Sequence, residues 1–171
     1  PPLLRAAGLS ALVVALAGPL DGYKVRKNRA DIIDIMLCVD VSGSMKEEDF
    51  IANGQPLNRL FVTKEAVRDF IQSRKEKAED RFGLDRVGLI LYARIAWTQC
   101  PLTLDYGMLE HYLDQATFAP EYKDGTAIGS AIGLAVRRLS KSEAKSKVII
   151  LLTAGLNNQP TLSPMDAARI A

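Results

Sequence analysis

Residues 31–40 read DIIDIMLCVD and residues 41–44 read VSGS. Ile35 to Val39 is continuously apolar, which predicts a strand buried on both faces. Val41-Ser42-Gly43-Ser44 then ends it in a turn. Downstream, Asp85 to Tyr92 (DRVGLILY) predicts a second strand, and Arg94 to Thr98 a short edge strand beside it. Lys147 to Thr153 (KVIILLT) predicts another buried strand. Helical spacing appears between them. Arg59 to Lys75 places Ala66, Val67, Phe70 and Ile71 on one face. Leu104 to Ala116 forms a helix with Asp105 near its start. Thr126 to Leu139 spaces Ile128, Ile132, Ala135 and Leu139 at helical intervals. Ser163-Pro164 opens a last helix, with serine as cap and proline in the first turn. Strands that alternate with helices imply an α/β fold. The expected architecture is a doubly wound, mostly parallel sheet with helices on both faces. The sequence stops inside the last helix, so this reading expects a C-terminally incomplete sheet with further strands beyond it.

The chain has 171 residues, of which 48% are hydrophobic and 25% charged. That suffices for one core of ordinary size. A formal net charge of +2 gives no footprint for nucleic acid. The two cysteines, Cys38 and Cys100, form no C-x-x-C pair and stand in no Cys/His cluster, which argues against zinc. Cys38, inside the first apolar run, reads as a buried free thiol. Ala6 to Leu20 is apolar apart from Ser10 and glycines, with Arg5 able to reach outward. Its length is at the short end of a bilayer span; a signal peptide and a buried core helix are the competing readings. The organisation expected is a transmembrane segment over 1–22, a polar and basic linker over 23–30, and one domain over 31–171, with membrane lipid around the N-terminus.

Three loops carry chemistry. Asp40-Val41-Ser42-Gly43-Ser44 leaves the first strand, Asp124-Gly125-Thr126 enters a helix, and Thr153-Ala154-Gly155 leaves the last strand. In a doubly wound sheet the loops at the carboxyl ends of strands converge. Their donors are oxygens only: hydroxyls from Ser42, Ser44 and Thr126, and the carboxylate of Asp40. Hard oxygen ligands suit Mg²⁺, Mn²⁺ or Ca²⁺. Gly43 gives the first turn backbone freedom. Neutral hydroxyls leave an ion's charge largely uncompensated, so a carboxylate from outside could complete the coordination.

These stretches resemble the von Willebrand factor A family and its metal-ion-dependent adhesion site. The matching text is DVSGS (40–44), DGTAIGSAIG (124–133) and KVIILLTAG (147–155). NRLFVTKEAVRDFI (58–71), TQCPLTLDY (98–106) and the apolar segment ahead of the domain resemble the bacterial membrane-anchored aerotolerance (Bat-type) group. The resemblance implies direct ligation by Ser42, Ser44 and Thr126, with Asp40 acting largely through water. It implies a protein partner that supplies an acidic residue, and association with a MoxR-type AAA+ ATPase and other membrane proteins of the same family. One departure matters. The family usually has an aspartate where this chain has Ala154, and the bacterial group often a glutamate where it has Leu156. Loss of an outer-shell partner typically costs about 10–100-fold in metal affinity, so the site is expected to be weak or empty.

An enzyme is not expected. A nucleophilic serine needs a base and an oxyanion hole, and the only histidine, His111, sits on a polar helix. No G-x-x-x-x-G-K-[ST] loop is present. Asp124 reads as a loop or cap residue, and Asp34 as a surface carboxylate at a strand end. Gly129-x-x-x-Gly133 is expected to pack closely against the sheet. Trp97 and Tyr92 read as packing residues. The basic run Lys24 to Arg29 argues for a cytoplasmic domain, whereas the resemblance implies the periplasmic side of a bacterial inner membrane; the latter is the expectation taken here.

Overall fold

The computed structural model describes residues 32–52, 54–79, 85–155, 157–159 and 162–170. The apolar segment and linker expected over 1–30 lie outside them. No helix among the described residues is long and apolar enough to cross a membrane.

The first strand, β1 (Ile33–Asp40), is buried at every position after its first. It lies between β4 (Arg86–Tyr92) and β6 (Ser146–Leu152) and is parallel to both. β5 (Ala96–Thr103) closes the other edge antiparallel to β4, giving the order β5-β4-β1-β6. The edge strand is longer than the expected 94–98, and it carries Pro101, which an edge position tolerates. A separate hairpin of β2 (Phe50–Ala52) and β3 (Gln55–Leu57) follows the first loop.

Strand periodicity divides β1 between two cores. Ile35, Leu37 and Val39 face Leu60, Val67 and Ile71 of α1 (Arg59–Glu79) and Leu109 and Leu113 of α2 (Tyr106–Asp114). Met36 and Cys38 face Ala131, Ala135 and Leu139 of α3 (Ile128–Leu139). Helices on both faces of a mainly parallel sheet are the architecture expected. The α1 face is rotated from the one expected: Ala66 is exposed, while Leu60 replaces it in the core. Asp105 caps α2 by accepting the Met108 N–H at 2.9 Å. Ser163 Oγ accepts the Met165 N–H at the start of α4 (Pro164–Ile170).

Three expectations need correction. Asp34 is not a surface carboxylate: it is fully buried and takes a two-pronged ion pair from Arg86 at 2.7 and 2.8 Å. The pairing register sets Asp34 beside Arg86 on the neighbouring strand, so the two reach each other without a turn between them. β6 is not buried like β1. It is exposed at Ser146, Lys147 and Val148 and half-buried beyond, because no strand covers its outer edge among the described residues. Gly129 and Gly133 pack not on the sheet but against Leu162. A Cβ on Gly129 would come within 2.0 Å of the Leu162 carbonyl oxygen.

Removal of the buried half of an ion pair strands its partner. Asp34→Ala should therefore lower unfolding free energy by about 2–4 kcal/mol in urea titration, the range reduced because Arg86 reaches solvent. Burial pushes the Cys38 thiol up to about 12. At pH 8 the native chain should resist alkylation at Cys38, and denaturant should release the reaction.

Candidate metal centre

β1 and β6 run parallel, so their carboxyl ends deliver the first and third loops to the same rim of the sheet. Asp40, the last residue of β1, is fully buried there. One carboxylate oxygen accepts the Ser42 N–H at 2.9 Å, and the other accepts the Thr153 hydroxyl at 2.9 Å. A single side chain thus ties the serine turn to the end of β6. Thr153 Oγ1 in turn accepts the Gly155 N–H. After Ser42 the chain enters a 3-10 turn over Gly43–Lys46, anchored by the buried Met45.

The hydroxyls expected to converge do so. Ser42 Oγ and Ser44 Oγ are 3.1 Å apart. Thr126 Oγ1 and Ser44 Oγ stand 3.4 and 3.5 Å from the point a Cβ on Gly155 would occupy. A Cβ at 155 would touch both hydroxyls at ordinary van der Waals distance, so Gly155 lies directly against them. Ser42 and Thr126 are almost completely buried.

Asp124, expected only to be a loop or cap residue, latches two loops together. Its Oδ1 accepts the Gly43 N–H at 2.6 Å and the Gly125 N–H at 2.8 Å. These two backbone donors hold its carboxyl below the usual carboxylate range. Gly43 owes its place to this latch and not to a left-handed backbone. A Cβ there would lie 2.6 Å from Asp124 Oδ2, and of the two glycines that Asp124 bonds it is Gly125 that has a positive φ, at 137°. The Arg94 side chain donates to the Asp124 carbonyl, which fixes the loop from the β4–β5 turn.

The third loop contributes residues that sequence reasoning missed. Asn158 Oδ1 accepts the Thr126 N–H at 2.8 Å, and the Asn158 N–H donates to the Thr126 carbonyl at 3.1 Å. Asn157 Oδ1 accepts the Ile128 N–H at 3.0 Å. The signal for them was indirect: α3 begins after Ala127, which cannot cap it. Ala154 is exposed and offers a methyl group; Leu156 lies outside the described residues. His111 pairs with Gln115 on the exposed side of α2, and Trp97 with Gln99 on β5.

The donor set is oxygen throughout. No group of three or more His, Cys, Asp or Glu side chains able to hold a metal exists among the described residues. The 3.1 Å between the serine hydroxyls is close to the separation of adjacent ligands around an octahedral Mg²⁺, about 2.9 Å. The residues present therefore fit a hard divalent cation, with less negative charge than a site holding a second carboxylate.

Residues 35–156 match the von Willebrand factor type A domain. The chain belongs to that family. Domains of this type mediate protein–protein interactions. An uncharacterized protein of Borreliella burgdorferi is 32% identical over 160 residues, which cover 94% of this chain and 43% of that protein. The chain thus spans less than half the length of that relative. An aerotolerance-related membrane protein of Bacteroides fragilis has a solved structure that superposes with a TM-score of 0.61 at 30% identity, covering 74% of this chain and 56% of its own. Proximal thread matrix protein 1 of the mussel byssus, solved with zinc in its adhesion-site motif, superposes with a TM-score of 0.62 at 26% identity, covering 82% and 33%. The expected family and its Bat-type neighbourhood are thereby shown for this A-type domain.

Gly43→Ala in this domain should push the Asp124 carboxylate aside and destabilise the fold by about 1–2 kcal/mol. Thermal melting should show that Asp124→Ala adds little more on top of it, since both changes break one latch.

Proposed function

We propose that this A-type domain binds a protein partner through a divalent cation held by Ser42, Ser44 and Thr126, with Asp40 acting on the ion through water. The observation that carries the reading is the meeting of hydroxyls from loops far apart in sequence: Ser42 Oγ lies beside Ser44 Oγ, and Ser44 Oγ and Thr126 Oγ1 both lie against Gly155. Mg²⁺, Mn²⁺ or Ca²⁺ suits such ligands. The bound cation would supply a positive centre for a carboxylate from the partner.

The chain's own residues set the terms of that contact. Neutral hydroxyls leave the centre electron-poor. Asp40 is spent on holding two loops together and so adds its charge from behind the hydroxyls. The domain is read as a binding module: the one histidine, His111, is engaged with Gln115 on the exposed side of α2. A second reading, a metal-independent scaffold with a decayed site, is favoured by one observation. The exposed Ala154 brings a methyl group to the rim where the family usually has a carboxylate.

The apolar stretch at 1–22 and the membrane description of the Bacteroides fragilis relative support membrane anchoring. The working placement is the periplasmic side of a bacterial inner membrane. There the domain acts with other membrane A-type proteins and a MoxR-type AAA+ ATPase in tolerance of oxygen and stress.

Calorimetric titration of Mg²⁺ into the full chain tests the metal. The expected result is binding in the millimolar range, loss in Ser42→Ala, and a gain of about 10–100-fold in Ala154→Asp. Failure of both the unaltered chain and Ala154→Asp to bind millimolar Mg²⁺ would remove the mechanism. Partner capture that survives both EDTA and Ser42→Ala would install the scaffold reading in its place.

A further inference from the structure

Thr126 is the metal ligand that the β-strands do not deliver. It sits ahead of α3, on a segment whose backbone bonds leave the segment itself at almost every step. The Ala127 N–H donates to the Ala93 carbonyl at 2.7 Å, in the turn after β4. The Thr126 N–H and carbonyl are both taken by Asn158, side chain and backbone respectively. The Ile128 N–H, an open donor at the start of α3, is taken by the Asn157 side chain. Gly125 is the exception, held by its neighbour Asp124.

The bond from the Ile128 N–H to Asn157 bears on where α3 starts. A helix leaves its first N–H groups without internal partners, and a polar residue at the cap usually satisfies one. Here the cap position is Ala127 and makes no side-chain bond. The Asn157 amide, 29 residues later, takes the first N–H of α3, and Asn158 holds the Thr126 peptide just ahead of the cap. Their own orientation is set as well. Asn157 Nδ2 donates to the Gln159 carbonyl at 3.0 Å, and Asn158 Oδ1 also accepts Gln159 Nε2 at 3.2 Å. The bond to Asn158 spans two atoms of Thr126, so it restrains both the position and the rotation of that residue's backbone. The hydroxyl, one rotatable bond away, inherits the restraint.

We propose that Asn158, assisted by Asn157, is the positioning residue that fixes the Thr126 hydroxyl at the metal site, so that the loop after β6 serves the site through two side-chain amides where it has no carboxylate. This inference rests on the metal reading proposed above for its consequence, and on backbone geometry for its cause. The two can be separated by experiment.

Mg²⁺ affinity is measured by calorimetry on the full chain, on Asn158→Ala, on Thr126→Ala and on the double variant. Loss of an outer partner of a ligand should weaken binding about tenfold in Asn158→Ala. The same change should have no effect once Thr126 is alanine, because no hydroxyl is left to place. A merely structural role would weaken both backgrounds alike, and that result overturns the proposal. The second readout needs no metal. Amide hydrogen exchange at Thr126, followed by NMR with EDTA present, should speed up at least tenfold in Asn158→Ala. It should return toward the original rate in Asn158→Asp, which keeps the acceptor oxygen. If the unaltered chain binds no Mg²⁺ yet Thr126 exchange responds in this way, the metal reading falls and the positioning by Asn158 stands. An unchanged Thr126 exchange rate in Asn158→Ala overturns the positioning whatever the metal does.

Discussion

Because β1 is paired on both edges and covered on both faces, the one place its sequence can turn chemical is its end. Asp40 stands there with no exposure to water, and a buried carboxylate must be satisfied or it destabilises the fold. It is satisfied by two donors from different loops, the Ser42 N–H and the Thr153 hydroxyl. The need to partner one buried charge thereby fixes the serine turn against the last strand. The rest of the rim is arranged around that joint: Asp124 latches the Gly43 side of the turn, and the Thr126 segment is held against the loop beyond β6.

The site divides its labour between charge and geometry. The groups that would touch an ion are uncharged hydroxyls, while the carboxylates nearby are occupied with backbone N–H groups and the Thr153 hydroxyl. Asp40 bridges two loops and Asp124 bridges two glycine N–H groups. Such an arrangement spends its negative charge on structure and leaves the centre electron-poor. Affinity for a cation then depends on how well the hydroxyls are placed, since little Coulombic attraction compensates an error of position.

The strand core was legible in the sequence because continuous apolar runs such as Ile35 to Val39 have few alternatives once they end in turn residues. The meeting of the Ser42, Ser44 and Thr126 loops at one rim was legible for a related reason: each lies beside a strand or helix end, and a parallel sheet gathers such ends. What could not be read was pairing across space. Asp34 looked like a strand-end surface group because its partner, Arg86, becomes its neighbour only through parallel register. KVIILLT looked as buried as β1, but hydrophobicity does not say which strand lies at an edge. The Asn157-Asn158 pair looked like ordinary loop composition. Its meaning came from a deficit elsewhere, the absence of a capping side chain at Ala127.

That deficit makes the start of α3 and the segment 157–158 one mechanical part, though they are separated along the chain. Anyone who grafts the last loop of a related protein into this scaffold would also be re-engineering a helix terminus upstream. A loop without an acceptor where Asn157 stands would leave the Ile128 N–H at the start of α3 open. Exchange of modules between such proteins therefore has to move both ends of the joint together.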